Sequence, residues 1–69
     1  MNDYPDRLLT LAQVMDIVGL KKTMIYRLMR RKEFPAAFKP GGYASRWSER
    51  EVQDWRAKVD AARFDRLAA

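Results

Sequence analysis

Between Lys21 and Lys32 the sequence KKTMIYRLMRRK places six basic residues in twelve, with no acid among them. Ammonium and guanidinium groups at this density bind phosphate. Arginine can also grip guanine through two parallel hydrogen bonds, and threonine can bond a base edge or touch a thymine methyl. The groups divide by position along the stretch. Lys22, Thr23, Tyr26 and Arg27 suit base contacts, whereas Lys21, Arg30, Arg31 and Lys32 suit phosphates. A second candidate set follows in AAFKPGGYASRW. There Lys39, Tyr43 and Arg46 surround Gly41 and Gly42, whose backbone can approach a phosphate or a minor groove closely.

Other chemistry is poorly supplied. The chain has no cysteine and no histidine, which removes disulfides, thiolate zinc sites and the commonest general base. Ser45 and Ser48 have no histidine and no lysine-dyad motif to activate them, and the carboxylates are scattered as on solvated helices. The expectation is a non-enzyme with no metal, no cofactor and no small-molecule substrate. The formal charge of +5 points instead to an anionic partner: nucleic acid, an acidic membrane surface or an acidic protein. No apolar run is long enough to span a membrane, and MNDYPDR lacks the basic lead and apolar stretch of a secretory signal. An intracellular, cytoplasmic domain is expected.

The elements that must position these groups read as one small domain over residues 1–69. Residues 1–7 form a loose arm. Thr10 and Gln13 then make a capping box, with Leu9 and Val14 as its hydrophobic staple. Leu11, Val14, Met15 and Val18 recur at i, i+3, i+4, i+7, so the spacing predicts a helix over 11–18 that Gly19 ends. A second helical pattern begins within three residues and stops near Glu33, ahead of Pro35. It carries Ile25, Leu28 and Met29 on one side and Thr23, Arg27 and Arg30 on the other, with Tyr26 and Arg31 on the flanks. Two short helices across a tight glycine turn are a helix-turn-helix. Gly41-Gly42, with Phe38 before and Tyr43 and Trp47 after, signals a two-stranded hairpin whose first strand Pro40 keeps short or at an edge. Ser48 and Glu51 form a second capping box, stapled by Trp47 and Val52, and Val52, Trp55 and Val59 stripe the third helix. Residues 61–69 read as a frayed helical tail. The fold class is therefore mainly α with a small β-hairpin: a winged helix-turn-helix of three helices plus a two-stranded wing.

The basic face has three readings. A merely solvated helix would carry Glu-to-Lys pairs at i, i+4, and it would not place Lys21 and Lys22 at the positive end of its own dipole. Membrane insertion would take Ile25, Leu28 and Met29 away from a core that a chain this short cannot spare. Reading double-stranded DNA fits both the residue types and the order of elements.

From Arg7 to Lys58 the chain resembles the AlpA-type phage and prophage regulators, related to the excisionases and to MerR-like winged helix domains. The resemblance rests on Leu8-Leu9, Gly19-Leu20, Ile25-Tyr26-Arg27-Leu28, Phe34-Pro35, Gly41-Gly42, and Arg46-Trp47 leading into Glu51-Val52 and Trp55. It implies a DNA-binding regulator of mobile-element genes, with the second helix in the major groove and the hairpin on adjacent backbone or minor groove. An excisionase-like DNA-bending factor is the related alternative. So is an interaction module in which Phe64, Leu67 and the C-terminal helix dock on a second copy or on another DNA-bound protein. Two positions depart from the family pattern: Lys21 stands where a serine cap is common, and Ser45 where an apolar strand residue is common.

Overall fold

The computed structural model describes residues 6–68, with side chains described as far as residue 63. Five elements follow in order: β1 (Leu8–Leu9), α1 (Leu11–Val18), α2 (Lys22–Arg30), β2 (Trp47–Ser48) and α3 (Glu49–Ala68). They form the expected winged helix-turn-helix fold. Among the described residues the core is six buried hydrophobic side chains, one each from six segments: Leu9 from β1, Val14 from α1, Ile25 from α2, Phe34 from the following loop, Trp47 from β2 and Val52 from α3. With so few, no element can be removed without opening the whole.

The first helix forms as its sequence predicts. The Thr10 hydroxyl accepts the Gln13 N–H at 3.2 Å, and the Gln13 side chain accepts the Thr10 N–H at 2.9 Å. Gly19 adopts φ 71°, a left-handed conformation open to glycine, and its N–H closes on the Met15 carbonyl at 2.8 Å. Three residues, Gly19 to Lys21, turn the chain into α2.

The second helix ends earlier than expected, at Arg30 rather than near Glu33. The cause lies in the backbone, before Pro35 can act. Lys32 takes φ 59°, its N–H bonds the Met29 carbonyl, and the Glu33 N–H reaches back to the Leu28 carbonyl at 2.8 Å. This is a Schellman closure with lysine in the place glycine usually holds.

The β structure also differs in detail. The two paired strands are β1 and β2, antiparallel, with Leu8 opposite Ser48 and Leu9 opposite Trp47. The wing is closed by a single rung, in which Phe38 and Arg46 exchange both backbone hydrogen bonds at 2.9 and 2.8 Å. Trp47 is occupied by Leu9 and so cannot extend the wing. Pro40 lies inside the turn, which the Gly42 N–H closes on the Lys39 carbonyl at 2.9 Å, one residue earlier than a turn centred on Gly41-Gly42.

The end of the arm is anchored rather than loose. The Glu49 N–H donates to the Arg7 carbonyl at 2.8 Å and the Arg50 N–H to the Asp6 carboxylate at 2.9 Å. Ser48 donates its hydroxyl to Asp6 while accepting the Glu51 N–H at 3.1 Å. Three free N–H groups at the start of α3 are thereby satisfied. The second acceptor at this cap is Asp6, not the Glu51 side chain that a capping box would use. Arg7 adds an ion pair to Glu49 at 3.1 Å.

The apolar stripe of α3 runs out sooner than expected. Val52 is buried and Trp55 half-buried, but Val59 is 44% exposed. The backbone nevertheless stays helical to Ala68. The side chains of Phe64 and Leu67 lie outside the described residues. Arg56 ties α3 to the C-terminal end of α1 by donating to the Ile17 carbonyl, where a cation favours the helix dipole.

The Ser48 hydroxyl first, and then the Arg50 N–H, hold the Asp6 carboxyl below its ordinary value of 3.8. A carboxyl lowered on folding adds stability that is fully present above that value and is lost as pH falls through the folded-state pKa. Asp6→Asn is therefore expected to lower Tm at neutral pH and to flatten the loss of Tm as pH falls below the ordinary carboxyl value, read by circular dichroism melts.

Candidate nucleic-acid interface

The core sets what α2 can present. Ile25 is fully buried, and Leu28 and Met29 pack against the core from half-buried positions. The opposite side carries Thr23, Arg27 and Arg30, all exposed, with exposed Lys22 in the first turn, Lys21 before the helix, and Arg31 and Lys32 after it. Among the described residues the salt bridges are Arg7–Glu49 and Arg56–Asp60, so none of these six cations is neutralised by a carboxylate.

Tyr26, on the flank of the helix, turns inward more than a base-contacting residue would. It is half-buried, and its ring meets Trp47 edge-on with centroids 6.2 Å apart. The ring thus orients α2 against β2. Met24 is 38% exposed beside the polar face, a surface residue that periodicity alone had no reason to select.

Both ends of α2 depart from what stability would choose. Lys21 occupies the N-cap with extended backbone and offers no side-chain acceptor to the free N–H groups. Its charge also faces the positive end of the dipole. At the other end, Lys32 holds a left-handed backbone that costs a residue with a Cβ about 1–2 kcal/mol.

The wing gathers its own set. Tyr43 is 91% exposed, an unusual position for a tyrosine. Lys39, Gly41 and Gly42 are exposed beside it. Arg46 is half-buried, and its guanidinium donates to the Ser45 carbonyl at 2.9 Å, which holds it along the wing. Leu8, 43% exposed, joins Pro40, Tyr43 and Arg46 around a shallow depression of about 400 Å³. Sequence patterning assigned Leu8 only to the approach to α1; its place beside the wing follows from the β1–β2 pairing.

The family described as prophage CP4-57 regulatory protein (AlpA) matches residues 7–59. The chain belongs to the AlpA family of prophage regulatory proteins. The matched span covers β1, α1, α2, the wing and α3 as far as Val59, and so includes every candidate DNA-contacting residue. A similar protein is the uncharacterized ORF88 of Enterobacteria phage P4, 38% identical over 58 residues. That alignment covers 84% of this chain and 66% of the phage protein. No solved structure matches the chain. Among the described residues, no helix of this AlpA-family chain is long and apolar enough to cross a membrane.

If the two lysines are retained at the ends of α2 for their charge, then residues better suited to those backbones will stabilise the fold. Lys21→Ser is expected to add about 1 kcal/mol by capping, and Lys32→Gly about 1 kcal/mol by relieving the left-handed backbone, both measured by urea unfolding.

Proposed function

We propose that this AlpA-family protein is a sequence-specific double-stranded DNA-binding regulator of phage or mobile-element genes. In this reading α2 enters the major groove and the wing lies on the adjacent backbone or minor groove. The observation that carries it is the cationic face of α2, six basic residues without an acid among them and without an ion pair among the described residues, bounded by two lysines in positions unfavourable to the helix. A surface helix shaped for stability alone would have a cap, a glycine and compensating carboxylates.

The roles follow from position. Thr23, Arg27 and Lys22, on the exposed first turns of α2, suit base edges. A nine-residue helix about 13 Å long fits a major groove about 12 Å wide. Lys21, Arg30, Arg31 and Lys32 suit phosphates on either side of the groove, and Lys39, Tyr43 and Arg46 serve the wing. Tyr26 contributes mainly by setting the angle of α2 through Trp47, with its exposed part beside Arg27.

The test is selection of bound fragments from host and phage DNA, followed by affinity measurements on the enriched site and on scrambled DNA. Arg27→Ala is expected to reduce the ratio between the two by about 1–3 kcal/mol, the loss of one bidentate base contact. Lys21→Ser and Lys32→Gly should weaken binding to both DNAs alike, in spite of their gain in stability. Failure to enrich any fragment, or an Arg27→Ala loss equal on every sequence, would contradict the reading or move Arg27 to the backbone.

A further inference from the structure

On the side of the domain where the loop after α2 runs against α3 lies an open groove of about 740 Å³. Its floor is aromatic and rigid. Phe34 meets Trp55 edge-on with centroids 4.9 Å apart, and the Trp55 indole N–H donates to the Glu33 carbonyl at 2.8 Å. Phe38, 43% exposed, stands at one wall. The rim carries three carboxylates, Glu33, Glu51 and Asp54, against the two ammonium groups of Lys32 and Lys58. In a chain of net charge +5 this is the wrong sign for nucleic acid. An occupant should be apolar with cations beside it.

The chain's own C-terminal segment has that composition. In AARFDRLAA, Phe64 and Leu67 are three apart and share one helical face, while Arg63 and Arg66 have the same spacing on the neighbouring one. Within one molecule the segment cannot reach the groove. Among the described residues the groove takes lining from α3 as far as Lys58, and the helix continues unbroken to Ala68, carrying the Phe64 backbone about 9 Å further along the axis. Among the described residues, the core draws on α3 through Val52 and Trp55. We infer that the groove formed by Phe34, Phe38 and Trp55 binds residues 61–69 of a second copy of this chain. Apolar side chains fill the floor, and the arginines meet Glu51 and Asp54.

Such a contact joins two different surfaces, so it is heterologous and leaves a free groove at one end and a free tail at the other. It would add copies in a row, and it leaves the cationic face of α2 open. The inference does not depend on α2 binding DNA.

Sedimentation equilibrium without DNA tests it, using full-length chains. The wild-type weight-average mass should rise with concentration above that of a monomer. A groove variant, Glu51→Lys with Asp54→Lys, and a tail variant, Phe64→Ala with Leu67→Ala, should each remain monomeric. Mixed in equal amounts they should form a one-to-one dimer and nothing larger, because one keeps a tail and the other a groove. Asp54→Lys alone, away from the first turn of α3, guards against misfolding of the double variant and should weaken association at least tenfold. A wild-type chain that stays monomeric overturns the proposal and leaves the groove to a different protein. Association that survives either double variant, or a mixture that fails to pair, overturns it equally.

Discussion

Trp47 is where the parts of this small domain meet. Its backbone pairs with Leu9, which ties the start of the chain to its middle. Its ring is fully buried and meets Tyr26, which fixes α2. The preceding residue, Arg46, closes the wing, and the following one, Ser48, begins the hydrogen bonds that start α3. The indole N–H is buried without a hydrogen-bond partner among the described residues, a polar loss accepted for the size and shape of the ring. With a core of one residue per segment, the angle of α2, the base of the wing and the direction of α3 all depend on this side chain.

That economy explains the division of surfaces. Every large apolar residue of α2 that faces inward is needed there, so its outer side is free to be shaped by binding. The outcome is a helix with cations along one side and a lysine at each end, placed where capping and backbone preference would select serine and glycine. The acids lie off this face, with Glu49 and Glu51 at the start of α3, where they suit the helix dipole, and Glu33, Glu51 and Asp54 around the aromatic groove. On the proposed readings, this separation of charge gives one small domain one face for DNA and another for a second copy of the chain.

Much of this was legible in the sequence because local rules and tertiary packing agree. The capping box at Thr10, the glycine stop at Gly19 and the apolar periodicity of α1 all appear where the residues placed them. The same holds for the exposed positions of Thr23, Arg27 and Arg30 on α2. The discrepancies come from long-range pairing, which a local pattern does not contain. Trp47 reads as the wing's second strand until Leu9 takes it, and Asp6 reads as part of a loose arm until it completes the cap of a helix more than forty residues away. Tyr26, on the flank of the helical wheel, could fall on either side, and the Trp47 ring drew it inward. The end of α2 was misplaced because nothing in its sequence announces a left-handed lysine.

The central claim is that the charge on α2 and the wing exists to hold DNA phosphates, and the dependence of affinity on salt tests it most directly. Binding to the selected site should be titrated at a series of salt concentrations and plotted as the logarithm of the association constant against the logarithm of salt. Engagement of about six phosphates predicts a straight line with a slope of roughly −5. An affinity indifferent to salt would contradict the account.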